Sequence, residues 1–298
     1  MKTSLRLLPV LCLSLLAAPV AAQQAYPTPE AAAEALVAAL GTERADTARL
    51  AALFGQDWSR YIPLDNVDRE DTEAFLARYR ERHVLEKSDA SHAVLSVGKE
   101  GWTLPVPLVK GPAGWAFDLK AGEPELRARR IGRNELDAVQ ASLAYLDAQE
   151  DYAREDRDGD GVLEYAQRFV STDGAHDGLY WEDDGGGESP LGPLFGDDTP
   201  DGAWHGYHYR ILNAQGASAP RGAYPYLLGD NMSRGFGLVA WPARYGDSGV
   251  MTFIVSHDGQ VFEKDLGPDG AAEARAMPAF DPDSSWQEVK DTSTAAAD

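Results

Sequence analysis

The chain has 298 residues, of which 48 are acidic and 27 are basic, so its formal net charge at pH 7 is −21. Nucleic acids and anionic membranes are bound largely through Lys and Arg, and a surface this acidic repels both. We therefore expect no nucleic-acid partner, whereas cationic partners, metal ions and simple solubility all fit the charge.

The N-terminal 22 residues have the pattern of a secretory signal peptide. Lys2 and Arg6 give the positive end, an apolar run follows, and small residues at 20–22 form a cleavage site. The run is too short to cross a bilayer, which needs ~20 apolar residues. We expect an exported soluble protein, periplasmic or extracellular, with no membrane insertion after signal cleavage. The one cysteine, Cys12, lies in the signal, so the mature chain can form no intramolecular disulfide.

Residues 26–131 are predicted to form an N-terminal α+β unit. Thr28 and Pro29 are a typical N-cap and first-turn pair, and Gly41 is suited to end the helix that they begin. Further helices are predicted over 46–53 and 71–83. Short β-like runs separated by glycine-rich turns then predict a three-stranded antiparallel meander over 93–97, 102–109 and 115–119.

Residues 132–288 are predicted to form a second unit, a long helix followed by an antiparallel sheet. Asn134 is suited to begin the helix. Its predicted buried face has apolar residues at three- and four-residue steps: Leu136, Val139, Leu143 and Leu146. Strands are predicted over 207–212, 235–241, 250–256 and 260–265. The Asp258-Gly259 pair is a strong hairpin signal, because it tolerates the positive φ angles of a tight turn.

The predicted fold class is therefore α+β: N-terminal helices with a small antiparallel sheet, then a long helix packed on an antiparallel β-meander. Residues 289–298 are small and polar, and they are predicted to be a disordered tail. A long irregular stretch, 171–203, separates the long helix of the second unit from its sheet, and loops of this length are usually functional or disordered.

The segment that follows the long helix contains a metal-binding pattern. Three aspartates at alternate positions before a glycine match the start of an EF-hand calcium loop: Asp156, Asp158, Asp160 and Gly161. Glu164 stands at position nine, but position twelve has Gln167 in place of the usual bidentate glutamate, which weakens binding. The alternative is a solvated acidic turn whose aspartates cap the next segment. Calcium, if bound, is better suited to a structural than to a regulatory role.

Catalytic motifs are scarce. There is no HExxH or paired-cysteine zinc site, and His205 and His208 are predicted to lie on opposite faces of a strand. Ser189 lacks the GxSxG context of a nucleophile. A pair of carboxylates suited to glycoside hydrolysis stays open, since acidic residues are abundant and their spacing in the fold cannot be read from the sequence.

Aromatic residues are dense in the second half of the chain. A candidate groove for a sugar or a peptide is formed by Tyr180, Trp181, Trp204, Tyr207 and Tyr209. The alternative is ordinary core and sheet packing, which is the commoner use of such residues.

Several runs of the second half resemble a known family. RRIGRNEL, YLDAQEDYAREDRDGDGVLEYAQRF, HGYHYRIL and GFGLVAWPARYGDSGVMTFIV resemble domain of unknown function 2950, a family of exported bacterial proteins whose function has not been established. The resemblance covers nearly the whole mature chain and implies a location in the bacterial envelope. The order of a long helix, an acidic loop and a meander is also similar to the globular part of pilins and pseudopilins.

The sequence predicts an exported, non-enzymatic binding or accessory protein of the bacterial envelope, with a calcium-stabilised loop. Its expected partner is an envelope protein or a saccharide. One alternative is a hydrolase of cell-wall material or polysaccharide, using a carboxylate pair in the aromatic groove. Another is an assembly protein for surface fibres, which would follow from the pilin-like order of elements.

Overall fold

The computed structural model of the protein describes residues 23–41, 43–62, 69–157, 159–182, 187–192 and 202–290. The chain divides into two compact units, 1–126 and 127–298. The predicted signal peptide and residues 291–298 of the predicted tail lie outside the described residues.

Helices begin the first unit. In chain order they are α1 (Pro29–Leu40), α2 (Thr47–Phe54), a 3₁₀ turn (Trp58–Arg60) and α3 (Arg69–Glu81). The first helix is capped as predicted, because the Ala31 N–H donates to the Thr28 hydroxyl at 3.1 Å. It ends at Gly41, whose φ of 63° is one that glycine adopts without strain. Asp46 caps the second helix with its carboxylate.

A small antiparallel sheet completes the first unit. Its strands are β1 (His83–Lys87), β2 (His92–Val97), β3 (Trp102–Thr103), β4 (Leu108–Gly111) and β5 (Gly114–Phe117). They pair in the order β1-β2-β4-β5, with β3 also on β2. The sequence pattern missed β1, and it joined β3 to β4 across Pro105 and Pro107, which cannot donate to a ladder. Buried side chains of α1, α2 and the sheet share a core that includes Leu36, Leu53, Leu108 and Phe117.

The long helix α4 (Leu119–Tyr152) starts earlier than predicted. The Asp118 carboxylate begins it by accepting the Ala121 N–H at 2.9 Å, and the helix continues through Pro124 at the loss of one backbone hydrogen bond. The prediction of Asn134 as the N-cap was therefore wrong. Its amide lies within the helix and donates to the Ser248 carbonyl at 2.8 Å. The division between the two units falls within this helix, after residue 126.

The buried face of α4 also differs from the predicted leucine stripe. Leu136 and Leu143 are 46% and 37% exposed, whereas Val139 is buried. The buried positions are Ala138, Ala141, Ser142, Tyr145, Ala148, Gln149 and Tyr152. Small alanines let the helix approach the sheet closely, and the tyrosines fill the remaining volume. The prediction was right for Val139 and for Leu146, which packs against the core, and wrong for Leu136 and Leu143.

The second unit contains a larger antiparallel sheet in the order β12-β11-β10-β9-β6, and a separate β7-β8 pair. The elements are β6 (Tyr207–Leu212), β7 (Ala214–Gln215), β8 (Tyr224–Pro225), β9 (Gly237–Pro242), β10 (Met251–Ser256), β11 (Val261–Asp265), α5 (Gly270–Ala276) and β12 (Gln287–Glu288). The predicted Asp-Gly hairpin is confirmed: Val255 pairs with Val261, and Gly259 has a φ of 84°.

Both faces of this sheet are covered. On one face, α4 packs against side chains that include Tyr207, Phe236 and Phe253. On the other, residues of α5 and the segment after it pack against Val239 and Ile254. The α+β fold class is thus confirmed, with helices and a small sheet first, then a long helix on an antiparallel sheet. None of the described helices is both long and apolar enough to span a membrane.

Candidate functional site

The acidic loop after α4 holds its own backbone through carboxylates. The two oxygens of Asp156 accept the N–H groups of Gly159 and Gly161 at 2.8 and 2.9 Å, and Asp160 accepts the Val162 N–H at 2.8 Å. Both glycines have positive φ angles, which the sharp bend requires. Asp158, the middle carboxylate of the predicted calcium loop, lies outside the described residues.

The second half of this motif faces a neighbouring loop. Glu164 accepts the Met232 N–H at 3.0 Å, and the Gln167 amide donates to the Asp230 carbonyl at 2.6 Å. Asn231 donates to Asp160. Within the described residues, no three His, Cys, Asp or Glu side chains are placed to hold a metal ion. Since Asp158 is not among them, the calcium loop stays a prediction.

A buried amide fastens the same irregular segment to α4. Gln149 is fully buried, donates to the Ala166 carbonyl at 2.8 Å and accepts the Ala166 N–H at 2.8 Å. Its nitrogen also donates to the hydroxyl of Tyr145 at 2.9 Å. Burial raises the pKa of Tyr145, so this hydroxyl stays neutral and donates to the Gly237 carbonyl at 3.2 Å. The side chain of one glutamine therefore acts as a strand-like partner for the segment.

The five aromatic residues of the predicted groove have different surroundings. Tyr207 is fully buried, Trp181 is 7% exposed, and both belong to the core under α4. Trp181 also stacks on His176. The hydroxyl of Tyr209 is in a buried environment, which raises its pKa. Tyr180 packs against the core from its edge. Trp204 is the member that lines a cleft.

This cleft has a volume of about 540 Å³ and runs along α4. The helix contributes Ala144, Asp147, Ala148, Glu150 and Asp151, and the rest of the described lining is Arg154, Pro190, Leu191, Gly192 and Trp204. Leu191 is buried, and its N–H donates to the Leu179 carbonyl at 2.9 Å. The lining segment is therefore anchored in the core.

A tight turn before β6 places Trp204 in the cleft. Trp204 and Tyr207 exchange backbone hydrogen bonds of 2.8 and 2.9 Å across His205 and Gly206, whose φ angles are 49° and 74°. Two successive positive φ angles are typical of a type I′ turn. The imidazole of His205 lies 3.5 Å from the Asp137 carboxylate on α4.

The negative charge of the cleft lies on the side formed by α4. All three carboxylates of its described lining come from α4, and one of them, Asp151, pairs with Arg154 at 2.7 Å. Asp147 and Glu150 form no ion pair within the described residues. Glycoside hydrolysis needs two carboxylates on either side of the scissile bond. Among the described lining residues, none outside the helix carries a carboxylate.

A different pair of carboxylates is formed by Glu135 of α4 and Glu263 of β11. Burial raises the pKa of Glu263 on β11, and the negative charge of Glu135 adds to the shift. Glu135 is held by the N–H groups of Val250 and Met251, at 2.9 and 3.0 Å from one of its oxygens. Neither residue is among those that line the cleft. This pair is therefore not part of the cleft.

A serine, a histidine and an aspartate also meet in the first unit, at the turn between β1 and β2. The Ser91 hydroxyl lies 3.1 Å from Nδ1 of His92, and the same Nδ1 lies 2.9 Å from the Asp89 carboxylate. A catalytic triad needs the serine and the aspartate on opposite ring nitrogens. These exposed groups therefore form a polar turn and cannot relay a proton.

The comparisons with known proteins agree with the family resemblance. The family model described as Protein of unknown function (DUF2950) matches residues 23–289. The chain belongs to this family. No curated protein and no solved structure matches the chain. The similarity to pilins and pseudopilins therefore gains no support from known structures and stays a prediction.

Proposed function

We propose that this protein is an exported, non-enzymatic binding protein of the bacterial envelope, and that the cleft beside α4 receives a positively charged segment of an envelope protein. The observation that carries the proposal is the one-sided charge of the cleft. Three carboxylates and one arginine line it, and Asp147 and Glu150 form no ion pair within the described residues. A cationic side chain between them would restore the balance.

Trp204 supports the same ligand class. An aromatic face attracts Lys and Arg side chains through its quadrupole, and it also covers their aliphatic stems. Ala144 and Ala148 leave room on the helix side, and Pro190 adds an apolar surface. A basic peptide segment matches both the charge and the apolar part of this lining. A neutral saccharide would use the tryptophan but would leave the carboxylates uncompensated.

Calorimetric titration with a pentalysine peptide tests this proposal. The double variant Asp147→Asn, Glu150→Gln is expected to weaken binding about tenfold, since two exposed carboxylates contribute roughly 0.5–1 kcal/mol each. Trp204→Leu is expected to weaken it further without changing the charge.

The matched control removes two carboxylates elsewhere on the same unit. Asp269→Asn with Glu273→Gln changes the net charge by the same amount at the exposed N-terminal end of α5. Its affinity for pentalysine is expected to equal that of the wild type. Equal weakening in the two double variants would mean that the peptide senses only the overall charge, and the proposal would be wrong.

Calcium is proposed as a structural ion of the acidic loop. Asp156, Asp158, Asp160 and Glu164 would hold it, since a carboxylate oxygen that accepts one backbone N–H keeps a lone pair for a hard cation. Calorimetric titration with calcium is expected to give heat in the wild type and none in the Asp158→Ala, Asp160→Ala double variant. No heat in either protein would leave a capped acidic turn.

The hydrolase is the less supported alternative, because the described lining of the cleft offers carboxylates from α4 alone. Incubation with cell-wall material is expected to release no soluble fragments. Release that is lost in Glu263→Gln, with folding intact, would instead favour catalysis by the pair of Glu135 and Glu263.

Export and the fibre alternative have separate tests. Fractionation with N-terminal sequencing is expected to find the protein outside the cytoplasm, beginning at Gln23. A role in fibre assembly follows only from the order of elements, and the absence of association with pseudopilins would exclude it.

A further inference from the structure

A cluster of basic and aromatic side chains lies on the second unit, around the turn between β10 and β11. It consists of Arg221, Tyr224, Arg234, His257 and Asp258. Arg221 donates from Nη2 to Nε2 of His257 at 3.0 Å and contacts the Asp258 carboxylate at 3.0 Å. The hydroxyl of Tyr224 lies 3.5 Å from the same ring nitrogen. The guanidinium of Arg234 lies 5.0 Å from the centre of the Tyr224 ring.

The imidazole of His257 is held in one orientation. A Cβ atom at Gly235 would lie 2.6 Å from Nδ1, so only a glycine lets the ring pack over the backbone there. Tyr226 meets the ring edge-on, with centroids 5.3 Å apart. Nδ1 faces the Phe236 carbonyl at 3.4 Å and is therefore the donor. Because arginine has no acceptor, Nε2 must be the unprotonated nitrogen.

The positive charges of Arg221 and Arg234 are only partly compensated by acidic groups. Arg221 has a φ of 71°, which is uncommon for a residue other than glycine, and its side chain is 61% exposed. Arg234 is exposed and forms no ion pair with the described residues. With Nε2 of His257 accepting from Arg221, the charged groups of the cluster are two guanidiniums and one carboxylate, Asp258. This local excess of positive charge contrasts with a chain whose net charge is −21.

We propose that this cluster binds an oxyanion, a carboxylate or a sulfate- or phosphate-type group, and that binding is coupled to protonation of His257. A proton on Nε2 removes the acceptor that Arg221 now uses, and it places a third cation beside the two arginines. An oxyanion between Arg221, Arg234 and the imidazolium accepts from all three and relieves their repulsion. The other groups facing the ring are Asp258, which opposes the anion, the hydroxyl of Tyr224 and the ring of Tyr226.

Sulfate is the first probe, because it keeps both negative charges over the range in which histidine titrates. Calorimetry at constant ionic strength is expected to show at least about tenfold tighter binding at about pH 5.5 than at about pH 8. Repeating the titration at about pH 7, where an ordinary imidazole is mostly neutral, in buffers of different ionisation enthalpy is expected to show net proton uptake of up to one per sulfate. His257→Gln is expected to abolish the uptake.

Arg234→Gln tests the site with the least disturbance, because among the described residues the guanidinium of Arg234 packs on the ring of Tyr224 and does not hold His257 in place. Sulfate affinity is expected to fall about tenfold. The control is Arg168→Gln, which removes another exposed arginine, one paired with Asp177 at 3.2 Å. Equal affinities in the two variants, or sulfate binding without proton uptake, would overturn the proposal.

Acetate and inorganic phosphate separate the two sources of an oxyanion. Preference for acetate would indicate a carboxylate ligand, such as a peptide C-terminus or an acidic sugar. Preference for phosphate and sulfate would indicate a tetrahedral group. The site is independent of the acidic cleft, so the Asp147→Asn, Glu150→Gln variant is expected to bind sulfate like the wild type.

Discussion

The segment between α4 and β6 secures its polar groups in two different ways. Near its start, the exposed carboxylates of Asp156 and Asp160 accept N–H groups from their own loop. A few residues later, Ala166 is paired in both directions with the buried amide of Gln149. The number of hydrogen bonds is similar, but the surroundings differ. Water can replace the partners in the exposed loop, whereas it cannot reach the buried junction between Gln149 and Ala166.

This difference predicts that the loss of stability on removing a hydrogen-bond partner increases with the burial of the group. A buried group that loses its partner costs about 1–3 kcal/mol, whereas an exposed one loses almost nothing because water takes over. Burial should therefore decide the size of each effect more than the length of the hydrogen bond. The predictions that follow go from the most buried polar group to the most exposed.

Gln149→Met is expected to have the largest effect. It preserves the volume but leaves both backbone groups of Ala166 unpaired, and a loss of about 3–5 kcal/mol in the free energy of unfolding follows. Denaturant unfolding measures it. The control is Gln140→Met on the exposed side of the same helix, expected to change stability by less than about 0.5 kcal/mol. Similar losses in both variants would contradict this dependence on burial.

Arg130→Met tests a half-buried pair. Arg130 bonds both the carboxylate and the backbone carbonyl of Asp247, which joins α4 to the turn between β9 and β10. A loss of about 1–2 kcal/mol is expected. Arg154→Met, at a surface pair with 72% side-chain exposure, is the control and should cost less than about 0.5 kcal/mol. A larger loss at the exposed pair would reverse the order.

The Arg130 pair also has a pH signature. Burial alone would raise the pKa of Asp247, but Arg244 and Arg130 together hold it below its ordinary value. The stability that this carboxylate contributes is therefore present above the unfolded pKa of about 3.9, and it is lost as the pH falls through the native value. The difference between wild type and Arg130→Met should shrink in acid.

Glu263→Gln should act in the opposite direction. Because burial raises the pKa of Glu263, ionising it opposes folding, so its favourable contribution is complete below the unfolded pKa of about 4.3 and is lost at higher pH. The variant is expected to be more stable than the wild type near about pH 7, by less than about 1 kcal/mol, and equal to it in acid. Reduced stability at neutral pH would contradict the raised pKa.

Asp156→Asn should have the smallest effect when calcium is absent. Asparagine keeps one acceptor for the glycine N–H groups, and the change is expected to stay within about 0.5 kcal/mol. Repeating the thermal unfolding with calcium sharpens the comparison. If calcium stabilises the wild type and not the variant, the exposed loop is stabilised by a bound ion, whereas the pairing of Gln149 with Ala166 is stabilised by burial.

Local signals in the sequence predicted much of the fold. The Thr28-Pro29 start of α1 and the Asp258-Gly259 turn depend on the conformations of a few adjacent residues, and both are found where expected. The start of α4 was missed because Asp118 caps a helix that passes through Pro124. The exposed position of Leu143 was missed because periodicity defines a face without showing which face meets the sheet.

The candidate sites were harder to predict. Trp204 was singled out for its aromatic ring, but its place in the cleft depends on the turn at His205 and on a helix about fifty residues earlier in the chain. In the sequence, His257 is only the residue before the Asp258-Gly259 turn. Its partner Arg221 comes from a separate loop, and no short-range pattern joins the two.

The pairing of Gln149 with Ala166 also has a consequence for motion. The amide hydrogen of Ala166 can exchange with solvent only when the helix and the segment separate, so its exchange should follow the opening of the whole second unit. The amide hydrogens of Gly159 and Gly161 need only a carboxylate to rotate, and they should exchange through small local openings. The chain would then be rigid at Ala166 and free to rearrange at Gly159 and Gly161, so that a ligand could change the conformation of this loop.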